Sequence, residues 1–446
     1  MQRLLIFIFL FASTTIFSQE LLTNKWSSGQ KRSEGYAIDG KETGKWTFWH
    51  KNGQKMAEGE YKNGERTGKW LYWHDNGALQ YDYFEENGEF KAWYNNGNKE
   101  MIGSRKDGKK DGKWTFWYPN GELMRECTFV NNEIDGFCVE YHDNGVKSFE
   151  GTYSNGKLEG YAKWWFNNEN LEMEGKSIDN LQDSIWIFYH ENGKIASKGS
   201  FKNGELNGDW KYYYEDGKIW RKGSYRIGSR TGFWEAFYEN GTKQREGNFS
   251  NDLETGQWVQ WYSNGKVQDI GEFKLGLMDG DWKGNYFEGQ KKYFAQYTKG
   301  LKNGKYTMWF MNGKKKEEGK YSRDMKTGKW TEWSELGNKL NEGNYSEGKK
   351  VGKWTYFDKR GAKMRVQNFV NDKPNGKWIE YYPNGKKASE GFYNDRIKEG
   401  IWTNWDANGK IVLQVEYRAG QKIKTIVDAA RAREIEKGKP RTSKPF

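Results

Sequence analysis

A Gly-x-Trp triplet returns down this chain at a step of 24 residues. It stands at Gly44-Lys45-Trp46 and Gly68-Lys69-Trp70, resumes at Gly112-Lys113-Trp114, and reappears at Gly208-Asp209-Trp210, Gly232-Phe233-Trp234 and Gly256-Gln257-Trp258. The same phase runs on through Gly280, Gly328, Gly352, Gly376 and Gly400. One skip interrupts it: Gly68 to Gly88 is only 20 residues, so one hairpin is shortened there. A fixed period of this size means that each copy is one supersecondary unit, stable only against its neighbours.

Within a unit the residues spell two strands and two turns. Lys45-Trp46-Thr47-Phe48-Trp49-His50 is aromatic and β-branched and runs into Lys51-Asn52-Gly53. Asn-Gly is a strong hairpin signal because both residues tolerate positive φ, and the dipeptide recurs at this place in most units. A second strand follows with a Glu-Gly-x-Tyr pattern, as in Glu58-Gly59-Glu60-Tyr61, and a second turn, Lys62-Asn63-Gly64, leads onward. The expected fold is therefore all-β: an elongated, single-layer antiparallel β-meander of about sixteen hairpin repeats. Strand spacing would make it roughly 150 Å long, and sheet twist would coil it into a ribbon or superhelix.

The register can be counted. Gly59 and Trp70 lie eleven residues apart around a turn, so they face each other, and the glycine leaves room for the indole to lie across its strand. One unit departs from this in both columns at once. Where the glycine becomes Cys127, the facing tryptophan becomes Cys138, and these are the only two cysteines. Opposed cysteines in an exported chain are expected to form a cross-strand disulfide.

Composition agrees with a thin sheet. Aromatics reach 17% while all hydrophobic residues make up only 35%, and there are 55 Gly. A conventional core of this size needs more aliphatic residues, and a disordered chain has few aromatics. The net charge of +12 is spread along the chain. It suits a solvated basic surface, or an anionic partner such as lipid headgroups or an acidic glycan, and not nucleic acid.

Both ends differ from the repeats. Met1-Gln2-Arg3, then the apolar run Leu4 to Phe11, then small and polar residues to Gln19 read as a signal peptide over residues 1–18. The expected location is periplasmic or extracellular, with no integral membrane segment after cleavage. The repeat array is expected over residues 19–418. Residues 419–446 are expected to hold a capping helix, about Lys422 to Lys437 with Ile426, Ala430 and Ile435 covering the last hairpin, and a basic tail from Gly438 to Phe446.

Catalytic chemistry finds no footing. The four histidines, His50, His74, His142 and His190, share one column with Tyr118, Tyr214, Tyr238 and Tyr262, so they substitute for tyrosine and are not expected to ligate a metal. No nucleophile motif, phosphate loop or isolated carboxylate pair stands out. The reading is no enzyme, no catalytic residue and no cofactor. The candidate binding residues are a second aromatic row five positions after each motif glycine: Trp49, Trp73, Trp93, Trp117, Trp165, Trp261, Trp309, Trp333 and Trp405. Strand alternation puts this row on the face opposite Trp46 and its equivalents. Exposed, such a ladder would stack on sugars, grip a peptide or insert at a lipid interface; alternatively, packing consumes both rows.

The pattern Gly-x-Trp-x-x-Trp/Tyr-Tyr/His-x-Asn-Gly, followed by Glu-Gly-x-Tyr and Lys-Asn-Gly, resembles the MORN repeat over nearly all of residues 21–418. It is most similar to the variant of bacterial YwqK-type proteins, often labelled antitoxins. The resemblance implies an antiparallel hairpin array and a role in scaffolding or partner binding. The leading expectation is an exported, non-catalytic scaffold that binds a protein partner at the cell envelope. The alternatives are glycan or cell-wall binding through the aromatic rows, or binding to anionic membrane surfaces.

Overall fold

The computed structural model describes residues 18–430 and 433. From Glu20 to Asp428 the chain is all β, with 36 strands. It divides into two compact units at Gly217/Lys218. Within each, successive strands run antiparallel in an open meander, except that Lys157–Leu158 and Gly160–Trp165 are two pieces that both pair with Lys147–Ser154.

The two turns of a unit differ, and their chemistry is the reverse of the one expected from Asn-Gly alone. At Asn63-Gly64 both residues have positive φ, 55° and 86°. This is the two-residue turn whose twist matches the strands, and it pairs Lys62 with Glu65 directly. At Asn52-Gly53 only the glycine is left-handed, at 86°. That turn is longer: His50 N–H donates to Gln54 O at 2.8 Å and Gly53 N–H to His50 O at 3.0 Å. Asn52 serves there through its side chain. Its Oδ1 accepts from Gln54 N–H at 3.0 Å and its Nδ2 donates to Asp75 O, one unit on, at 2.6 Å.

The strand carrying Gly-x-Trp starts earlier than expected, at Lys41 and not Lys45, because it includes a bulge. Gly44 has φ of 64°. Beside it the register jumps from Gly35↔Trp46 to Tyr36↔Thr43, leaving Gly44 and Lys45 as extra residues. The motif glycine is therefore a backbone requirement, since left-handed φ costs any other L-residue. The shortened repeat lacks this bulge, and Tyr81↔Ala92 and Tyr83↔Phe90 pair without a register shift.

The counted register holds. Gly35 faces Trp46, Gly175 faces Trp186, and Cys127 faces Cys138. The two cysteines are joined in a disulfide.

The C-terminal expectation is corrected. Gln421–Asp428 is a further strand, antiparallel to Ile411–Arg418, so the sheet runs past residue 418 and residues 422–428 of the expected helix are strand. Thr425, Ile426 and Val427 are β-branched, and the open edge of Ile411–Arg418 offers them a ladder. Ile426 is exposed and covers nothing. The expected signal segment, apart from Ser18, lies outside the described residues, as do Ile435 and the tail from Gly438.

Candidate functional site

Strand alternation gives each unit an indole face and an opposite face. On the indole face Trp46, Trp114, Trp186, Trp210, Trp330 and Trp354 are buried. Each lies over the glycine of the preceding strand, in the space a β-carbon would need. The bulge leaves one carbonyl out of the ladder, and the indole takes it: Trp46 Nε1 donates to Tyr36 O at 2.9 Å and Trp186 Nε1 to Lys176 O at 2.9 Å. The tyrosine of Glu-Gly-x-Tyr stands edge-on to the next indole, as Tyr61 does to Trp70 at 5.2 Å and 85°. All four motif residues are thus explained by one packing unit.

On the opposite face, the nine tryptophans read from the sequence as binding candidates are all half-buried. Seven have a lysine ammonium over the ring. Lys31 covers Trp49, Lys55 covers Trp73 at 4.9 Å, Lys99 covers Trp117 and Lys147 covers Trp165. Lys243, Lys315 and Lys387 cover Trp261, Trp333 and Trp405. The covering lysine often also pairs with the glutamate three residues on, as Lys55 with Glu58 at 2.7 Å and Lys243 with Glu246 at 2.6 Å; Lys339 pairs likewise with Glu342 at 2.9 Å. The hydrogen bond from Lys339 holds the Glu342 carboxyl below the usual carboxylate range despite partial burial. This face is a lattice of rings, cations and carboxylates, neither bare aromatic nor fully packed.

The histidines behave as tyrosine substitutes. His50 Nε2 lies 2.9 Å from Trp73 O and His142 Nε2 2.9 Å from Trp165 O, where Tyr238 OH reaches Trp261 O at 2.9 Å in the same role. Each ties its turn to the following unit. Cys127, Cys138 and Glu140 group their ligand-type atoms closely, but the sulfurs are bonded to each other and offer no thiolate.

Two arrangements are missed by motif reading. The register sets Glu317 opposite Glu332, a carboxylate pair that sequence spacing hides. Each has a partner of its own: Lys326 Nζ at 3.2 Å from Glu317 and Asn341 Nδ2 at 2.7 Å from Glu332. The second concerns the middle residue of Gly-x-Trp, which is polar in most units. In three successive repeats it is Phe137, Tyr161 and Ile185, which are 54%, 56% and 55% exposed. They succeed one another every second strand on the face opposite the indoles. Glu174 accepts from Tyr189 OH at 2.6 Å, and burial, then Glu174, push the Tyr161 phenol up to about 12. The signal was present as a departure from the column, and not as a motif.

The second unit also has cavities on its indole face. One of about 370 Å³ is lined by Arg221, Ala236, Arg245, Trp258 and Gln260 among others. It opens because Ala236 and Gln260 stand where earlier units carry Phe48, Tyr72 or Phe116.

No protein of curated function matches the chain. Solved structures of TcdB2-TccC3 and of TcdB2-TccC3-Cdc42 align over 91% and 90% of it at 10% and 8% identity, with TM-scores of 0.14 and 0.13. The chain spans only 25% and 31% of those chains, and similarity at this level bears on neither fold nor function. The sequence itself is more telling: the chain carries the MORN repeat variant, which matches eight of its segments, residues 42–63, 110–131, 182–203, 206–226, 230–251, 254–275, 374–395 and 398–419.

Proposed function

We propose that this chain is an exported, non-catalytic repeat scaffold of the YwqK-type variety that binds a protein partner at the cell envelope. The observation that carries the reading is the run Phe137, Tyr161 and Ile185. Three adjacent units replace a solvated polar residue with an apolar one and leave it more than half exposed. Successive members of the run are two strands apart, about 10 Å, which makes an apolar patch on a face otherwise built of rings, cations and carboxylates. Contiguous apolar surface with a polar rim suits a protein partner better than a sugar or a lipid headgroup. The apolar leader before residue 19 supports export, and the paired cysteines suit an oxidising compartment.

Glycan binding through the second aromatic row is the other reading. Its support is that the nine tryptophans keep part of each ring open to solvent beside hydrogen-bonding lysines and glutamates.

The test is affinity capture from envelope extract at moderate salt with wild type and with the triple variant Phe137→Lys, Tyr161→Lys, Ile185→Lys. Lysine is the ordinary residue of that column, so the variant is expected to fold. A protein retained by wild type and lost from the variant is the expected result. A partner retained equally by both, or retention of glycan alone, would remove the patch from the explanation.

A further inference from the structure

We infer that the indole face of the first unit carries an oxyanion site, formed by Arg105, Lys110 and Arg125, that takes a phosphate or sulfate group. The inference is independent of the proposed protein partner.

The sequence departs from its own columns here. Arg105 occupies the position that holds Tyr61, Phe129 and Tyr153 in neighbouring repeats. The register sets it directly opposite Lys110, and Arg125 directly opposite Phe116, the ring that Lys110 overlies. Like charges facing each other across a ladder are unfavourable. Both cations also lie over ring faces: Arg105 Cζ is 4.3 Å from the Phe90 centroid, and Lys110 Nζ is 4.8 Å from those of Trp114 and Phe116. Arg125 Cζ stands 4.5 Å from the Phe116 centroid.

Only Arg125 of the three has an acidic residue facing it, Glu140 across the ladder. Among the described residues no carboxylate lies within 4.0 Å of Arg105 or Lys110, and the nearest to Arg125 is Glu140, at 4.0 Å. The Nε atoms of Arg105 and Arg125 are buried without a hydrogen-bond partner. Burial, then the neighbouring Arg125 and Arg105, lower the Lys110 pKa. Elsewhere on this face some cations over the rings are matched, as Lys326 is by Glu317 and Arg245 by Glu254, while among the described residues Lys302 and Lys398 also lie over rings with no carboxylate within 4.0 Å. Three cations placed side by side, two of them guanidinium forks, fit a tetrahedral oxyanion with several acceptor oxygens. Guanidinium forks bind such groups through charge-assisted bonds. The group could be borne by a soluble ester or by a lipid headgroup; the chemistry at the site is the same.

The experiment titrates the full chain with inorganic pyrophosphate at constant ionic strength in chloride, and in parallel with phosphatidylcholine vesicles with and without phosphatidic acid. Wild type is compared with Arg105→Tyr and Lys110→Gln. Arg105→Tyr restores the ring of the column, so it is expected to fold and, without anion, to melt above wild type. Wild type is expected to bind pyrophosphate and melt higher in its presence, with affinity reduced about tenfold or more in either variant. Response to pyrophosphate assigns a soluble ester, and response only to phosphatidic acid vesicles assigns a lipid-borne phosphate. Equal responses in wild type and Arg105→Tyr, or none to either probe, would overturn the site.

Discussion

Trp46 lies across Gly35, filling the space where a side chain would stand and donating its indole N–H to Tyr36 O at 2.9 Å. The same relationship between a missing side chain, a ring and a carbonyl freed by a bulge repeats through both units. It makes the two glycines of a repeat different in kind. Gly35 is needed for space, and Gly44 for its left-handed backbone.

Substituting one of each in the second unit separates the two roles. Gly247→Ala would drive a methyl into the Trp258 ring and is expected to cost about 1–3 kcal/mol through overpacking, or to displace the indole from Asn248 O. Gly256→Ala meets no neighbour within 4 Å but must hold φ near 65°, at a cost of about 1–2 kcal/mol. Denaturant midpoints would rank them. The further change Trp258→Phe should relieve part of the first cost and none of the second.

The two Asn-Gly turns predict opposite responses to glycine. Asn203 has φ of 51°, so Asn203→Gly should leave stability nearly unchanged. Asn192 uses its side chain, accepting from Lys194 N–H at 3.0 Å and donating to Glu215 O at 2.9 Å. Asn192→Gly loses both bonds, at about 1–2 kcal/mol. Equal effects in thermal melts would mean that the turns are not distinct.

That distinction marks where the sequence stops being legible. Asn-Gly occurs at both turns, so composition shows that the chain turns but not which atoms of Asn are used. Gly59 and Trp70 could be counted into register because eleven residues and a tight turn admit little else. Cys127 and Cys138 confirmed the columns by changing together. The sequence from Lys422 leads into Ala-Ala-Arg-Ala and so suggests a helix, while the open edge that recruits Gln421–Asp428 as a strand is a property of the sheet. Arg105, Lys110 and Arg125 each look like ordinary surface charge in one dimension, and only the ladder sets them beside one another. The exposure of the second tryptophan row depended on where lysines such as Lys55 rest, which no spacing rule fixes.

Acid should weaken the face opposite the indoles. The Glu342 carboxyl lies below its ordinary value of 4.5 because Lys339, then Lys329, bonds it more strongly than partial burial disfavours it. Its contribution is complete above that pH and is lost as pH falls through the folded-state pKa. The groups are largely open to solvent, so the effect per pair is small and shrinks in salt. Glu342→Gln should be less stable than wild type at neutral pH, with the gap closing as pH falls below the ordinary carboxylate value. A gap constant with pH would mean that the pairs contribute nothing.

Alkali acts on the indole face with the opposite sign. Burial, then nearby carboxylates, push Tyr321 and Tyr345 up to about 12 from an ordinary 10.0. Stability from these phenols is whole below pH 10 and is lost as pH rises through the folded value. Tyrosinate absorbance is therefore expected to appear together with unfolding. Ionisation near pH 10 without loss of structure would show these rings to be open to solvent.

The disulfide offers the most direct test of column logic, because it stands where other units place a glycine and a tryptophan. Cys127 and Cys138 are both nearly inaccessible, within a cluster that includes Trp114, Phe129 and Phe149. With a separation of 11 residues the bridge closes a short loop, so its loss is expected to cost about 3 kcal/mol or less. Cys127→Gly alone leaves a hole and an orphan thiol. Cys138→Trp alone drives an indole against the side chain at 127. Made together they restore the pair used at Gly103 and Trp114, with a bulge glycine, Gly136, already at φ of 110° two residues before position 138. The double variant should therefore be more stable than the sum of the singles by more than 1 kcal/mol, and its melting point should no longer respond to reductant. Additive effects of the two changes would mean that the columns do not act as a pair in this repeat.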